Sequence, residues 1–206
     1  MFITFEGGEG SGKTTQVRLL GERLTQLGYQ VMVTREPGGT PLGAKLRALL
    51  LDVESQVEPR AELLLYAADR AQHVATLIRP ALADGKIVIS DRYADSALAY
   101  QGYGRGLDLT ALRQIMVFAT SGLQPDLTFF LDLDPQQGLA RRAQAGASNR
   151  FEAQTLEFHR RVREGYLALI AAEPERWVRI DADQPLAVVQ GTIFAVVEER
   201  LQLLQR

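Results

Sequence analysis

A glycine-rich loop near the N-terminus is the first feature of the sequence that could do chemistry. Residues 7–15 read GGEGSGKTT, and Gly7-x-x-x-x-Gly12-Lys13-Thr14 has the spacing of a P-loop placed between a strand and a helix. The glycines let backbone N–H groups converge on phosphate oxygens, and the following helix adds the positive end of its dipole. Lys13 could bridge the β- and γ-phosphates of a nucleotide, and the Thr14 hydroxyl could bind Mg²⁺. The alternative is a tight strand-to-helix turn without a ligand.

The loop also carries an unexpected carboxylate, Glu9, and its type alone does not name a function. P-loops serve molecular switches, motors and kinases. Guanine-specific switches commonly read the base with an Asn-Lys-x-Asp motif, but the only asparagine in this chain, Asn149, is followed by Arg150. Motors and large ATPases usually carry further domains, for which 206 residues leave little room. A small-molecule phosphotransferase therefore fits best.

A phosphorylated acceptor would need a second site for negative charge, and two predicted strand ends supply arginines. Arg35 lies in TREPGGTPLG, and IVISDRY contains Asp91 and Arg92. In open α/β sheets ligands bind beyond the carboxyl ends of the strands, where these residues must lie. An aspartate there suits an Mg²⁺ shell, and an arginine suits a bidentate phosphate contact. The alternatives are an exposed turn at Arg35 and an Asp–Arg pair at the start of the next helix.

Tyr66 and Arg70 give a weaker signal for a base-binding site. They are four residues apart and share a helix face, so they could stack on a nucleobase and hydrogen-bond to its carbonyl. Aromatic–Arg neighbours are equally common on helices without a ligand. We interpret His73 and His159 as structural, because neither lies in a metal-ligand pattern.

Arginines also flank a small, polar stretch at residues 144–149, which we expect to be flexible. They are Arg141, Arg142 and Arg150. These side chains could belong to a lid at about residues 141–153 that closes over ATP and brings cations to the transferred phosphoryl group. The alternative is an ordinary basic helix face exposed to solvent.

Short β-branched or aromatic runs alternate with longer segments of helical period along the chain. This order is typical of a parallel sheet covered by helices on both faces. We predict one α/β domain over residues 1–206, with three layers and a five-stranded sheet. The predicted strands are Phe2–Glu6, Gln30–Thr34, Ile87–Asp91, Leu127–Asp132 and Trp177–Asp181.

Apolar spacing, glycines and prolines delimit the helices. The first helix is predicted to end at Gly28, and a long helix over residues 60–85 is predicted to break or bend near Pro80. A last helix follows Pro185. Before a helix that begins near Asp108, a mobile loop is predicted from three closely spaced glycines: Gly102, Gly104 and Gly106.

The composition restricts the partners and the location of the protein. A formal net charge of −2 argues against a surface built for DNA or RNA, so we expect no nucleic-acid partner. The absence of cysteine excludes disulfides and thiolate metal sites. No apolar run reaches the roughly 18 residues of a membrane-spanning helix. We therefore expect a soluble, cytoplasmic protein without a membrane partner.

Five segments together resemble bacterial thymidylate kinases in order and spacing. They are FEGGEGSGKTT, TREPGGTPLG, LLLYAADRAQH, SDRYADSALAYQGYGRG and QPDLTFFLDLDP. The resemblance covers nearly the whole chain, and Arg-Glu-Pro-Gly-Gly-Thr and Asp-Arg-Tyr are specific to that family among nucleoside monophosphate kinases. It implies a P-loop kinase fold, a homodimer, and Mg²⁺-dependent transfer of the γ-phosphoryl group of ATP to dTMP. The product would be dTDP, for dTTP and DNA synthesis.

The resemblance also implies roles for individual residues. The ATP site would comprise Gly7, Gly8, Glu9, Gly10, Ser11, Gly12, Lys13, Thr14, Thr15 and Arg141, with the metal at Thr14 and Asp91. The dTMP site would comprise Glu9, Arg35, Tyr66, Arg70, Arg92, Ser96, Tyr100 and Gln101. The catalytic residues would be Glu9, Lys13, Arg92 and Arg150.

Within the acceptor site, the resemblance places Arg35 and Arg92 on the phosphate. Tyr66 would lie under the thymine ring, with Arg70 at the base carbonyl edge and Gln101 also in reach of the base. Because the nucleophile is already an anionic phosphate oxygen, no strong general base is needed. Catalysis would consist of positioning and charge neutralisation.

The resemblance also places Tyr100 beside the sugar, where its ring would disfavour a ribose 2′-hydroxyl, and Glu9 near the same sugar and its phosphate. Two residues depart from the family pattern. Many members carry phenylalanine where this chain has Tyr66, and others carry a polar residue where it has Ala97. Two other functions stay open at this point: a kinase for a different nucleotide or deoxynucleoside, and a P-loop ATPase switch with a macromolecular partner.

Overall fold

The computed structural model describes residues 1–146 and 149–204 and shows a three-layer α/β fold. Its sheet is parallel throughout, with the strand order β2-β3-β1-β4-β5. The strands are β1 Phe2–Glu6, β2 Val31–Arg35, β3 Ile87–Asp91, β4 Leu127–Asp132 and β5 Trp177–Asp181. The predicted fold class is confirmed. The predicted bounds of β2 are wrong by one residue, since the strand begins at Val31 and Arg35 is its last residue.

Helices cover both faces of this sheet. They are α1 Lys13–Gln26, α2 Pro41–Leu51, α3 Pro59–His73, α4 Arg79–Ala83, α5 Ala94–Ala97, α6 Leu109–Thr120, α7 Pro135–Gln144, α8 Leu156–Ala172 and α9 Leu186–Leu204. Two π-helical segments interrupt the series, Val74–Ile78 between α3 and α4 and Leu98–Gly104 after α5. Among the described residues, no helix is long and apolar enough to span a membrane.

The central strand β1 is buried at every residue, so its alternate side chains feed two separate cores. Ile3 and Phe5 belong to the core under α1 and α9. On the opposite face, Phe2 belongs to a small cluster with Val88 and Tyr93. Tyr166 of α8 and Phe130 of β4 belong to a larger core that also contains residues of α3 and α6. This packing fixes the carboxyl ends of β1, β3 and β4 at one edge of the sheet.

Two predicted chain features near the helix ends are confirmed. Gly28 has a φ angle of 89° just after α1 ends, a left-handed conformation that suits glycine. The predicted long helix is divided into α3 and α4 close to Pro80. The π-helical segment Val74–Ile78 separates the two. Proline has no N–H to donate and its ring crowds the carbonyl four residues earlier, here Thr76, so the backbone widens at that turn.

The predicted mobile loop is wrong for Gly102 and Gly104, whereas Gly106 is exposed in the short connection before α6. Gly102 and Gly104 are buried in the second π-helical segment. A Cβ added at Gly102 would lie 2.5 Å from Leu109 Cδ2, and one added at Gly104 would lie 2.7 Å from Phe158 Cε2. These two glycines therefore allow the segment to pack closely against α6 and α8 rather than to move.

Candidate functional site

The glycine-rich loop joins β1 to α1 with the geometry of a phosphate cradle. Gly7, Gly10 and Gly12 have φ angles of 147°, 69° and 90°, which favour glycine over residues with a Cβ. Lys13 is the first residue of α1, and its Nζ donates hydrogen bonds to the carbonyls of Gly7 (3.0 Å) and Gly8 (2.7 Å). The loop thus wraps around its own lysine at the N-terminus of a helix, where anions are favoured.

The lysine charge is held in an unfavourable environment. Burial lowers the pKa of Lys13 to about 8, and the guanidinium of Arg92 acts in the same direction. The carboxylates of Glu9 and Asp91 oppose this shift. A polyphosphate bound in the loop would add negative charge beside Nζ and favour the protonated lysine.

Helix α7 packs directly on the loop through Gly10 and through Gly138, which the sequence patterns did not single out. A Cβ added at Gly10 would lie 2.1 Å from the carbonyl oxygen of Gly138, and one added at Gly138 would lie 2.2 Å from the carbonyl oxygen of Glu9. Neither position has room for a side chain, so α7 and the loop are in backbone contact. The arginines at the end of α7 are thereby held close to the phosphate cradle.

A cavity with about 1030 Å³ of empty space opens in front of the loop. Its walls combine loop residues with charged side chains from the strand ends and helices. The lining residues are Glu9, Gly10, Ser11, Gly12, Lys13, Thr14, Thr15, Arg35, Glu36, Arg47, Asp91, Arg92, Arg141, Arg142 and Asn149. The predicted phosphate-loop residues 9–15, Arg35, Asp91 and Arg141 therefore share one cavity.

The two side chains predicted to bind Mg²⁺, Thr14 and Asp91, contact each other at the loop. Thr14 Oγ1 donates a hydrogen bond of 2.5 Å to Asp91 Oδ2. No cluster of three or more His, Cys, Asp or Glu side chains within residues 1–146 and 149–204 could hold a metal ion by itself. A hydroxyl with one carboxylate is the type of partial shell that Mg²⁺ uses when nucleotide phosphates and water complete its coordination.

A second cavity, the acceptor cavity, adjoins the first and has about 590 Å³ of empty space. It is lined by Glu9, Glu36, Pro37, Arg47, Leu51, Tyr66, Arg70, Arg92, Ser96, Ala97, Tyr100, Gln101, Asn149 and Phe151. Every predicted acceptor residue except Arg35 lines it. Both cavities are lined by Glu9, Glu36, Arg47, Arg92 and Asn149. The two cavities therefore meet at a charged wall.

Arg92 is the centre of that wall. Its φ angle of 73° lies in the left-handed region, which is uncommon for a residue with a side chain. Nη1 donates to the Gly7 carbonyl at 3.1 Å, and Nη2 donates to Glu9 Oε1 at 2.8 Å and to the Tyr100 hydroxyl at 2.9 Å. The guanidinium also lies 4.8 Å from the centre of the Tyr100 ring. One arginine thus contacts the phosphate loop and the acceptor cavity at once.

The loop carboxylate Glu9 is paired rather than isolated. It accepts hydrogen bonds from Arg92 and, at 2.9 Å, from the Tyr100 hydroxyl. Burial alone would raise the pKa of Glu9, but the cations Arg92 and Lys13 hold this pKa below its usual value. Glu9 is therefore ionised at neutral pH and can orient both the arginine and the tyrosine.

Glu6, which sequence patterns missed, holds the backbone that follows Arg92. The fully buried Glu6 carboxylate accepts hydrogen bonds from Tyr93 N (2.8 Å), Ser96 Oγ (2.5 Å) and the Tyr166 hydroxyl (2.8 Å). Burial raises the pKa of Glu6 to about 7, and the charge of a neighbouring aspartate adds to the shift. The only sequence signal for a role of Glu6 was its charge at the end of an otherwise uncharged predicted strand.

Arg70 also lines the acceptor cavity and is already extensively bonded. Its Nε donates to Glu36 Oε2 at 2.7 Å, and its Nη2 donates to the Tyr93 carbonyl at 2.9 Å. The opposite oxygen of Glu36 contacts His73 Nδ1 at 2.8 Å, which supports the prediction that His73 is structural. A buried carboxylate, Glu36, thus holds the cavity-lining guanidinium in a fixed orientation.

Two further predicted acceptor residues, Tyr66 and Arg35, line different cavities, and the sequence patterns did not identify the cation Arg47. Tyr66 of α3 lines the cavity beside Phe151, with ring centres 6.3 Å apart. Arg35 is exposed at the end of β2 and lines only the phosphate-loop cavity. Arg47 of α2 lines both cavities, and its Nη1 donates to the Pro37 carbonyl at 2.9 Å. Its only sequence signal was a basic residue one helical turn before the buried Leu50.

Comparisons with known proteins agree with this geometry. A family model described as thymidylate kinase matches residues 5–193. A thymidylate kinase from Synechococcus sp. (strain JA-2-3B'a(2-13)) is 60% identical over 203 residues, covering 98% of this chain and 97% of that protein. A thymidylate kinase from Deinococcus radiodurans is 54% identical over 200 residues, with 97% of each chain covered. The chain belongs to the thymidylate kinase family.

A solved structure supports the family at the level of the fold. The crystal structure of thymidylate kinase from Ehrlichia chaffeensis superposes with a TM-score of 0.80 at 36% sequence identity. The match covers 96% of this chain and 98% of that one. Membership of the family makes this chain a nucleoside monophosphate kinase.

The predicted lid arginines of this family member separate into two groups. Arg141 and Arg142 line the phosphate-loop cavity; Arg141 donates to the Ala182 carbonyl at 3.1 Å, and Arg142 pairs with Glu152 at 2.7 Å. Residues 147 and 148, inside the predicted lid and the polar stretch, lie outside the described residues.

The structure does not bring Arg150 to the phosphate loop. Its side chain is buried, its Nε donates to the Leu50 carbonyl at 3.1 Å, and its Nη2 lies 2.7 Å from Glu62 Oε2, although not aligned for a hydrogen bond. The buried carboxylate draws the arginine inward, away from the cradle. The expectation that Arg150 provides the catalytic cation is therefore not supported by its placement.

The low pKa of Lys13 predicts how nucleotide binding depends on pH. Bound phosphates favour the charged lysine, so ATP affinity should be full below the free-enzyme pKa of about 8 and should decrease as the pH rises through that value. Titration calorimetry with ATP between pH 7 and pH 9.5 measures this change. In Lys13→Met the affinity should be low and lack this decrease. An ATP affinity of the unmodified protein that is constant over the same range would contradict the assignment.

Proposed function

We propose that this chain transfers the γ-phosphoryl group of ATP to dTMP, giving dTDP and ADP for dTTP and DNA synthesis. One observation carries the proposal: the P-loop cavity and a second cavity, lined by Tyr66, Arg70 and Gln101, meet at Glu9 and Arg92. A kinase for a phosphorylated acceptor needs two anion-binding sites that share a wall, so that the reacting oxygens can approach each other. A switch that hydrolyses a nucleotide without an acceptor would have no use for the second cavity.

The donor would bind with its phosphates in the loop formed by residues 7–15. Backbone N–H groups and Lys13 would hold the β- and γ-phosphates, as in other P-loop proteins. Arg141 lines the same cavity and is held against the Ala182 carbonyl. Thr14 and Asp91 are the oxygen ligands available to Mg²⁺, which would neutralise charge on the phosphates when bound.

The acceptor would lie in the second cavity with its phosphate toward the shared wall. Arg92 and the newly found Arg47 are the cations of that wall, and Arg35 approaches it from the phosphate-loop side. Tyr66 would stack on thymine, with Gln101 and Arg70 at the base edge. The remaining predicted contacts, Ser96 and Tyr100, line the side of the cavity next to Glu9.

The protein would accelerate transfer by positioning and by neutralising charge. The acceptor oxygen is anionic at neutral pH, because the second pKa of a phosphate monoester is near 6. Arg92 would hold this phosphate while Lys13 stabilises charge on the transferred group, with Glu9 orienting Arg92. No side chain has to remove a proton.

We further propose one kinase domain over residues 1–206 with a lid at about residues 141–153. Arg142 is the lid cation that the geometry favours, because it lines the phosphate-loop cavity and is only partly buried in its pair with Glu152. Partial exposure leaves it able to exchange that partner for a phosphate at small cost. Arg150 would instead anchor the lid to α3 through its contact with Glu62.

The protein is proposed to be a cytoplasmic homodimer. Helices α3 and α6 pack together, and both carry large apolar side chains that are exposed in the single chain. Phe118 is 88% exposed, and Val117 and Leu64 are 59% and 57% exposed. A second copy of this chain would remove such side chains from water. The molecular mass in solution tests this directly.

A panel of acceptors tests the proposed reaction. With ATP and Mg²⁺, ADP release should be fast with dTMP, slower with dUMP, and at least about 100-fold slower with CMP, UMP or thymidine. Cytosine mismatches the hydrogen-bonding groups at the base edge, UMP brings a 2′-hydroxyl against Tyr100, and thymidine lacks the phosphate that Arg92 would hold. A coupled assay for ADP measures all five. Preference for another acceptor would contradict dTMP as the substrate. ATP hydrolysis that ignores every acceptor would indicate a switch or ATPase instead.

Substitution of the two lid arginines separates their roles. Arg142→Ala should lower kcat by about 10³ with a less than tenfold loss of ATP affinity, the pattern of a cation that acts mainly on the transition state. Arg150→Ala should lower the thermal midpoint, because it removes one partner of a buried carboxylate, and should lower kcat by less than tenfold. Steady-state kinetics, calorimetry and thermal melts provide the comparison. A larger kcat loss in folded Arg150→Ala would restore Arg150 as the catalytic cation.

A further inference from the structure

A buried carboxylate, Glu62, lies behind the acceptor cavity and is not part of its lining. Glu62 of α3 is four residues before Tyr66 and eight before Arg70, so all three share one face of the helix. Its side chain is 0% exposed, whereas Tyr66 and Arg70 line the cavity. Burial of a carboxylate is costly unless its charge and lone pairs are satisfied, so its partners define its role.

Three side chains from different parts of the chain converge on Glu62. Arg105 Nη2 donates to Oε2 at 3.1 Å, and Arg150 Nη2 lies 2.7 Å from the same oxygen. The third partner is neutral: Gln101 Nε2 donates to Oε1 at 2.8 Å. The two guanidinium groups offset the charge of the carboxylate, so Gln101 is not required for charge balance.

The contact with Glu62 decides which way the Gln101 amide faces. An ionised carboxylate only accepts hydrogen bonds, so the NH₂ end of the amide must point toward Glu62 and the Oε1 end away from it. Gln101 is 2% exposed and lines the acceptor cavity. Within residues 1–146 and 149–204, Oε1 accepts no hydrogen bond from the protein. The side chain therefore presents a fixed acceptor to a ligand in the cavity.

We propose that Glu62 is a positioning residue that fixes the Gln101 amide and so makes the acceptor site select pyrimidine 5′-monophosphates with a hydrogen on N3. The inference rests on the proposed function, because it assumes that a pyrimidine occupies this cavity. Thymine and uracil carry a donor at N3 and a carbonyl at position 4. Cytosine carries a lone pair at N3 and an amino group at position 4.

A second polar group of the cavity lining, the Arg70 guanidinium, strengthens the same selection. The Arg70 guanidinium contains only donors, and Glu36 fixes it with a hydrogen bond of 2.7 Å. A carbonyl at position 4 can accept from it, whereas an amino group would bring donor against donor. Cytosine would therefore be mismatched at both Gln101 and Arg70. Buried polar groups left unpaired in this way can produce large discrimination.

The experiment compares dTMP with dCMP in the wild type and in Glu62→Gln. A glutamine at position 62 can offer either an oxygen or an NH₂ group to Gln101, so the amide loses its imposed orientation. The ratio of kcat/KM for dTMP to that for dCMP should fall at least tenfold, mainly through the loss of dTMP activity. Titration calorimetry with the two nucleotides should show the same direction of change in the ratio of affinities.

Arg105→Met is the matched control. It removes a partly buried partner of the same carboxylate but leaves Gln101 facing Glu62. Its dTMP to dCMP ratio should stay within threefold of the wild type even where the thermal midpoint falls. An equal fall in both variants would mean that the ratio reports general loosening, and would overturn the inference.

A second variant and the wild-type activity provide two further readouts. Where Glu62→Gln does not fold, Glu62→Asp keeps the charge but shortens the side chain, and a fivefold or larger fall in the ratio supports the inference. A ratio within threefold of the wild type in the folded variant overturns it. A wild type that does not phosphorylate dTMP would instead refute the proposed function, while the calorimetric ratio would still report on Glu62.

Discussion

The contacts of a single guanidinium connect the two halves of this site. Arg92 follows β3 with a left-handed backbone, a conformation that costs on the order of 1–2 kcal/mol for a residue with a Cβ. Hydrogen bonds on both sides offset that cost: Arg92 N donates to the Phe5 carbonyl at 2.9 Å, and the next N–H, of Tyr93, donates to Glu6 at 2.8 Å. The left-handed backbone directs the Arg92 side chain toward the shared wall, where it contacts Glu9.

This constraint explains the carboxylate in an anion-binding loop. Glu9 would repel phosphate if it stood alone, but Arg92 and Lys13 compensate its charge and Tyr100 donates to it. The loop therefore presents both signs of charge, cationic and N–H groups toward the donor and an ordered Glu9–Arg92 pair toward the acceptor. Close contact between Gly10 and Gly138 places α7 against the same loop. Donor, acceptor and lid surfaces thus meet within a few residues.

Much of the fold and part of the site followed from sequence because their signals are local. The P-loop spacing, the alternation of strands and helices, and arginines at strand ends depend on neighbouring residues, and the structure brings them together. The misjudged features depend on distant contacts. Gly102 and Gly104 pack against other helices, and Arg150 is drawn to a carboxylate 88 residues earlier in the chain. Likewise, Glu6 gains its importance only from distant groups on α5, on α8 and in the connection that precedes α5.

The central claim is that Glu9 orders the wall between donor and acceptor. Its most direct test is the Glu9→Gln variant, which keeps the size of the side chain and removes the charge that orients Arg92. Steady-state kinetics at saturating ATP and dTMP, with calorimetry for dTMP affinity, provide the measurement. The account predicts a fall in kcat of at least tenfold in a variant whose thermal stability is retained. A kcat within twofold of the wild type, with unchanged dTMP affinity, would contradict it.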